Sequence, residues 1–262
     1  MKNEPLEQLI SLLLEEMPNY QNYVYRFGSD ERGRAKLARS LMNLRTPKKA
    51  SDALLKTQDY YLQNEMKKMG LVDWYSLPVS DYEKIALWRG NIIRLSADAI
   101  VNCGNQDMLG CFVPNHNCLD NWIHSYAGVQ LRFDCDIEMK KRGRKFNVSD
   151  VFMTSGYNLP SKYVLHVLGP TVRGRTSFFE DEQLKKCYFN CLELARLNGF
   201  KSLVFPCIST GQQGFPKAKG AKIATETVKE YLMLHPDAPA VVFDVYTDID
   251  ETLYKKLLYE NL

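Results

Sequence analysis

From Ile85 onward the sequence alternates between short apolar runs and helical patterns, an order that few architectures accept. The runs are IALW (85–88), AIV (99–101), VFM (151–153), YVLHVL (163–168), LVF (203–205) and VVFDVY (241–246). They are rich in β-branched and aromatic residues, so each reads as a buried strand. Helical patterns fill the intervals around 118–142, 179–198 and 216–234, with a last one at 249–261. Strands alternating with helices predict an α/β fold whose sheet is mostly parallel and covered on both faces. Ligands of such sheets bind beyond the carboxyl ends of the strands, which points to the loops after residues 101 and 205.

Residues 1 to about 75 have a different texture. Leu6, Leu9, Ile10, Leu13 and Leu14 fall at helical spacing, and Ala35, Leu37, Ala38, Leu41, Met42 and Leu44 repeat the pattern after a start at Asp30. A third helix is expected from near Pro47, through Ala53, Leu54, Tyr61, Leu62, Met66 and Met69, to a stop at Gly70. The chain thus divides into a helical N-terminal extension, 1–75, and an α/β domain, 76–262. The apolar stripes of the extension are wide enough to predict that it packs on that domain.

The composition, 262 residues of which 45% are hydrophobic and 25% charged, is that of a globular protein able to bury a sizeable core. No run of 18 apolar residues occurs, and MKNEPLEQLI lacks the charged and apolar regions of a signal peptide. A cytoplasmic protein without a membrane partner is expected. Seven cysteines in a reducing compartment are expected to be buried, metal-bound or reactive, with no disulfides. The net charge of +3 is too small to call for nucleic acid.

Two loops carry most of the chemistry. The first, V-N-C-G-N-Q-D-M-L-G-C from Val101 to Cys111, runs on into Cys111, His116 and Cys118 at the spacing C-x4-H-x-C, with no fourth Cys or His close by. Structural zinc is usually closed by four protein ligands, whereas catalytic zinc takes three and keeps a position open. The loop alone leaves open whether it holds a metal or buries two cysteines; three ligands, if they hold one, favour a catalytic site. The second loop, C-I-S-T-G-Q-Q-G-F-P from Cys207 to Pro216, places Ser209, Thr210, Gly211 and Gly214 ahead of a helix. Backbone N–H groups of such a loop suit a diphosphate, and a tight turn that needs glycine has the same composition.

W-R-G-N-I-I-R-L-S-A-D-A-I-V-N-C-G-N (88–105), T-S-G-Y-N-L-P-S-K-Y-V-L-H-V-L-G-P (154–170) and I-S-T-G-Q-Q-G-F-P (208–216) together resemble the macrodomain pattern over about residues 83–250. With the C-x4-H-x-C insertion and the helical extension, the chain is similar to the zinc-dependent branch of that family, which removes ADP-ribose from proteins. The resemblance implies a three-layer α/β/α domain with ADP-ribose in a cleft at the strand ends. Asn91 and Ile92 would sit by the adenine. Ser209, Thr210, Gly211, Gln212, Gln213, Gly214 and Phe215 would wrap the diphosphate, and Asn102 and Asn105 would address the distal ribose. Cys111, His116 and Cys118 would hold Zn2+ beside that ribose, where it would polarise the linkage.

Two positions depart from the family pattern. Asn91 stands for an adenine-contacting Asp, and its amide can both accept and donate. Cys103-Gly104 replaces Ala-Ala, with Cys103 read as a small buried filler. Asp120 is the carboxylate nearest the last ligand, a candidate base, supporting partner or helix N-terminal acid. His124 is read as a packing residue or a support of the metal site, His166 as a core histidine, and Cys187 with Cys191 as core. The basic run Lys140 to Lys145 reads as a solvated helix end. The activity implied is hydrolysis of mono-ADP-ribose from modified proteins, through Asp or Glu linkages. The rival readings are a module that binds ADP-ribose without cleaving it and a nucleotide sensor with structural zinc.

Overall fold

The computed structural model of the chain describes residues 4–80 and 82–259. The extension consists of α1 (Glu4–Glu16), α2 (Glu31–Leu44) and α3 (Asp52–Met69). Asp30 accepts the Gly33 N–H to open α2, and Ser51 accepts the Leu54 N–H to open α3. Each cap satisfies an amide that a helix N-terminus leaves unpaired. α3 begins at Asp52, later than the expected start near Pro47. The buried Arg45 guanidinium holds the intervening stretch, bonding the Lys48 and Lys49 carbonyls and the Glu16 carboxylate. Pro18–Arg26 forms a 3-10 segment that no apolar spacing announced.

Leu6, Leu9, Leu13, Leu37 and Leu41 interdigitate in one cluster, and each contributes roughly 1.5–3 kcal/mol by leaving water. Tyr126 and Val129 from the α/β region join that cluster. The extension is therefore packed onto the rest of the chain.

Six strands build the main sheet: β2 (Ile85–Arg89), β4 (Ala99–Cys103), β5 (Val151–Ser155), β6 (Tyr163–Val167), β7 (Ser202–Phe205) and β8 (Ala240–Val245). β1 (Val72–Asp73) and β3 (Leu95–Ser96) form a separate two-residue pair. The order in the main sheet is β2-β8-β7-β4-β6-β5, parallel throughout except that the edge strand β5 runs antiparallel to β6. Helices α6 (Phe178–Leu197), α7 (Lys217–Leu234) and α8 (Asp248–Tyr259) cover one face, packing Leu184, Leu192, Val228 and Tyr254 against Val101, Leu165, Phe205 and Phe243. Helices α4 (Leu119–Ala127) and α5 (Val129–Lys141) cover the other, setting Ile123, Leu131 and Met139 against Ile100, Val164 and Val242. The alternation of neighbours such as Ile100 and Val101 between the two faces follows from the strand period of two. This is a three-layer α/β/α fold with a mixed, mostly parallel sheet.

The pattern at 118–142 is two helices, not one. Gly128, at φ 107°, turns the chain between them, and Gln58 of α3 accepts the Val129 N–H at 2.8 Å to cap α5. A side chain at Gly128 would collide with Gln58, so the break belongs to the docking of the extension. The expected last helix reaches Tyr259; residues 260 and 261 lie outside the described residues. Pairing of β4 with β7 stops at Ile100 and Val204, and the loops that follow these two strands leave the carboxyl end of the sheet, where ligands of such folds find their crevice.

Candidate functional site

The loop after β4 returns across the strand ends to α4. Cys111, His116 and Cys118 all half-buried, bring their donor atoms within 4.8 Å of one another. Cys111 Sγ lies 3.6 Å from His116 Nδ1. A tetrahedral zinc with bonds of about 2.3 Å to sulfur and 2.0 Å to nitrogen sets such an edge near about 3.5 Å, so the donor set fits that ion. Cys118 is also the N-cap of α4, its sulfur accepting the Asn121 N–H. Burial pushes the Cys118 thiol up to about 12, against the opposing Asn121 N–H.

The extension holds this loop in shape. Arg39 of α2 donates to the His116 carbonyl at 3.0 Å and to Asn121 at 2.7 Å, with its guanidinium over the Trp122 ring. Asn43 accepts the Asn115 N–H, and the Asn115 amide reaches Ser40 and the Lys36 carbonyl. Arg132 of α5, only 4% exposed, donates to the carbonyls of Asn43 and Arg45, at 2.6 Å each, and to that of Cys111 at 3.2 Å. One buried cation thus ties the end of α2 to the first ligand residue.

The loop after β7 meets the ligand loop from the other side. Gln212 approaches His116 Nε2 at 3.2 Å, while Nδ1 of the same ring faces Cys111. The backbone N–H groups of Gly211, Gln212 and Gln213 have no acceptor among the described residues. Three such donors suit a diphosphate. Ser209 holds φ at 64° and its carbonyl accepts the Phe215 N–H at 2.9 Å. Thr210 bonds back to the Cys207 carbonyl, and Gly214, at φ 76°, donates to the Gly211 carbonyl. The Phe215 side chain is buried in the core under α7, so only its backbone belongs to the loop.

Several residues do work the sequence did not disclose. Cys103 is more than a filler: its thiol donates to Gln213 at 3.1 Å and joins the two loops. Asn102 is 1% exposed; its amide donates to Asp120 at 2.8 Å and lies 3.3 Å from His166 Nδ1. Its Oδ1 has no partner among the described residues. Burial pushes the Asp120 carboxyl up to about 6, against the Asn102 hydrogen bond and the Arg132 charge. Asp120 lies 3.4 Å from His124, and His166 bonds Thr154 at 2.9 Å. These groups form a buried polar layer beneath the cleft. Asn105 is exposed, and its amide is committed to its own turn, accepting from Asp107 and Met108 and donating to the Gly110 carbonyl. Asn91 caps the turn after β2 by accepting the Ile93 N–H, while the Ile92 side chain is core and its N–H is unpaired among the described residues. Cys187 and Cys191 are core residues of α6, and Lys140 and Arg144 at the basic helix end pair with Asp136.

The Macro domain family profile matches residues 101–224. The chain is 40% identical to the protein-ADP-ribose hydrolase of Treponema medium, covering 95% of this chain and 96% of that one. It is 41% identical to the protein-ADP-ribose hydrolase of a Staphylococcus aureus strain, covering 84% and 83%. The Trypanosoma brucei macrodomain in complex with ADP-ribose superposes with a TM-score of 0.64 at 28% identity, over 83% of this chain and 94% of that one. Fold and cleft together define a macrodomain, and the chain belongs to that family. Within it the chain is similar over nearly its whole length to proteins named protein-ADP-ribose hydrolases.

Proposed function

We propose that the protein is a zinc-dependent hydrolase that removes mono-ADP-ribose from carboxylate side chains of modified proteins. The observation that carries this reading is the meeting of the two loops at His116, where Gln212 of the diphosphate loop touches the ring whose other nitrogen faces Cys111. The names of the Treponema and Staphylococcus relatives support it.

Cys111, His116 and Cys118 would hold the zinc, which when bound supplies Lewis acidity at the distal end of the ligand. The chain's own groups do the rest. The free amides of Gly211, Gln212 and Gln213 take the diphosphate, and the turn at Asn91 and Ile92 takes the adenine. Asn102 and Asp120 brace the end of β4 against α4 under the ribose, where the unpaired Asn102 Oδ1 is available to a hydroxyl. An ester to Asp or Glu offers a carbonyl that can be polarised and a good leaving group, whereas an ether-like bond to serine needs strong acid assistance, and the one raised carboxyl of the stretch, Asp120, is buried and held by the Asn102 amide.

The test is incubation of the purified protein with proteins modified on glutamate or on serine, with and without a chelator. Release from the glutamate-linked substrate that the chelator stops, with the serine-linked one untouched, is the expected result. Comparable release from serine would remove the linkage claim. Chelator-insensitive release would move catalysis off the metal, and tight binding without release would leave a reader module.

A further inference from the structure

Docking of the helical extension leaves a groove between α2, α3 and α4, with a volume of about 340 Å3. Ligand sites commonly measure about 300–1,000 Å3. Arg32, Lys36 and Arg39 line it, spaced four and three residues apart, so α2 presents all three on one face. Arg32 and Lys36 are exposed, and neither pairs with a carboxylate among the described residues. Arg39 bonds only uncharged groups: the His116 carbonyl, the Asn121 amide and the Ser125 hydroxyl. The carboxylate that lines the groove, Glu65, is answered by Lys68 at 2.7 Å. The groove therefore carries an excess of positive charge that the described residues do not balance.

We infer that this groove receives an acidic segment of the modified protein, so that the extension reads the protein half of the substrate; the inference rests on the proposed hydrolysis. The ligand loop joins the two halves. Its His116 ring meets Gln212 of the diphosphate loop, while Asn115 and Asn117, on either side of that histidine, line the groove. A polypeptide whose linkage is cut beside His116 is brought to the groove by the same loop. Tyr61 and Tyr126 also line it, and their hydroxyls, bonded to nothing among the described residues, can donate to or accept from a peptide backbone. The cations then favour peptides that carry aspartate or glutamate near the modified residue.

The test compares two peptides modified with ADP-ribose on one glutamate, one flanked by aspartates and the other by lysines. The wild type should cleave the aspartate-flanked peptide with a kcat/KM about tenfold higher, the combined effect of three partly exposed ion pairs. That preference should shrink as salt is raised. The double variant Arg32→Glu/Lys36→Glu should reverse it, and Ala35→Phe, which fills the groove without changing its charge, should abolish it. Zinc content and affinity for free ADP-ribose should stay unchanged in both. Equal cleavage of the two peptides by the wild type overturns the inference while leaving the hydrolase reading intact. A preference that survives in Ala35→Phe belongs to the field of the whole surface and overturns it as well. Inhibition by a single-stranded RNA oligonucleotide stronger than that by the unmodified aspartate-flanked peptide would make the groove a nucleic-acid site, against the inference. Cleavage of neither peptide, with ADP-ribose still bound, overturns the hydrolase reading and this inference with it.

Discussion

The two faces of the sheet are built on opposite plans. Beneath α6, α7 and α8 the packing is almost wholly apolar, with Val101, Leu165, Leu192, Phe205 and Phe243 fully buried. Beneath α4 and α5 the interior carries Asn102, Asp120, Asn121, His124, Arg132 and His166, each less than 9% exposed. The apolar face is satisfied by its own helices. The polar face needs the extension, since Gln58 caps α5 and the carbonyls at the end of α2 receive Arg132. One face supplies stability at little risk, because apolar contacts leave no partner stranded. The other supplies direction, because hydrogen bonds fix where the ligand loop points, and it is fragile for the same reason.

The largest effect is expected where the polar face ends in the metal triad. Cys118→Ala should purify with almost no zinc where the wild type carries about one ion per chain. Hydrolysis should fall by more than about a hundredfold. Equal zinc in both proteins by elemental analysis would break the contrast at its root. Next comes Gly211→Leu, whose Cβ meets no atom within 4 Å, so the fold is undisturbed while the side chain stands before the free amides of the loop. ADP-ribose affinity should drop by at least about a hundredfold at unchanged melting temperature, since the backbone approach is blocked.

A matched pair then separates the faces. Leu192→Ala should cost about 2–5 kcal/mol in urea unfolding with ADP-ribose affinity and zinc content intact. Arg132→Met strands the carbonyls of Asn43, Arg45 and Cys111 and should cost about 3 kcal/mol. Unlike the leucine variant, it should also weaken zinc retention. Equal zinc retention in the two variants would show that the clamp does not reach the metal.

The smallest effect lies outside both interiors. Burial works against the charge of Asp98, but Lys162 and the N–H groups of Lys201 and Ser202 outweigh it and hold its carboxyl below the ordinary value. A carboxylate with a depressed folded pKa contributes stability above its unfolded pKa, and that contribution disappears as pH falls through the folded value. Asp98→Asn should therefore lose a little stability at neutral pH and match the wild type in strong acid. The gap should close below about pH 4.

The sequence made the apolar plan legible and the polar plan obscure. Runs such as YVLHVL and LVF announce themselves because a strand buried on both faces has no polar side to show. The C-x4-H-x-C spacing and the Ser-Thr-Gly loop were also readable, since each packs its chemistry into a dozen residues or fewer. Contacts that join distant segments were not: nothing local marks Asn102 as the partner of Asp120, Cys103 as the partner of Gln213, or Arg132 as the link between α2 and Cys111. Gly128 was a signal within reach, because a glycine inside a helical pattern invites a break. Asn91 showed its type but not the bond its oxygen makes to the Ile93 N–H, which only the turn geometry reveals.

The grip of α2 on the ligand loop also bears on how the chain is made. Synthesis runs from the amino end, so α1, α2 and α3 leave the ribosome before Cys111 is joined to the chain. Arg39, Asn43 and the carbonyls at the end of α2 are then already grouped on one helix when the ligand loop emerges. The loop closes onto a prepared surface, and fewer of its conformations remain to be lost when an ion arrives. Order of birth, in this protein, sets the cradle before the occupant.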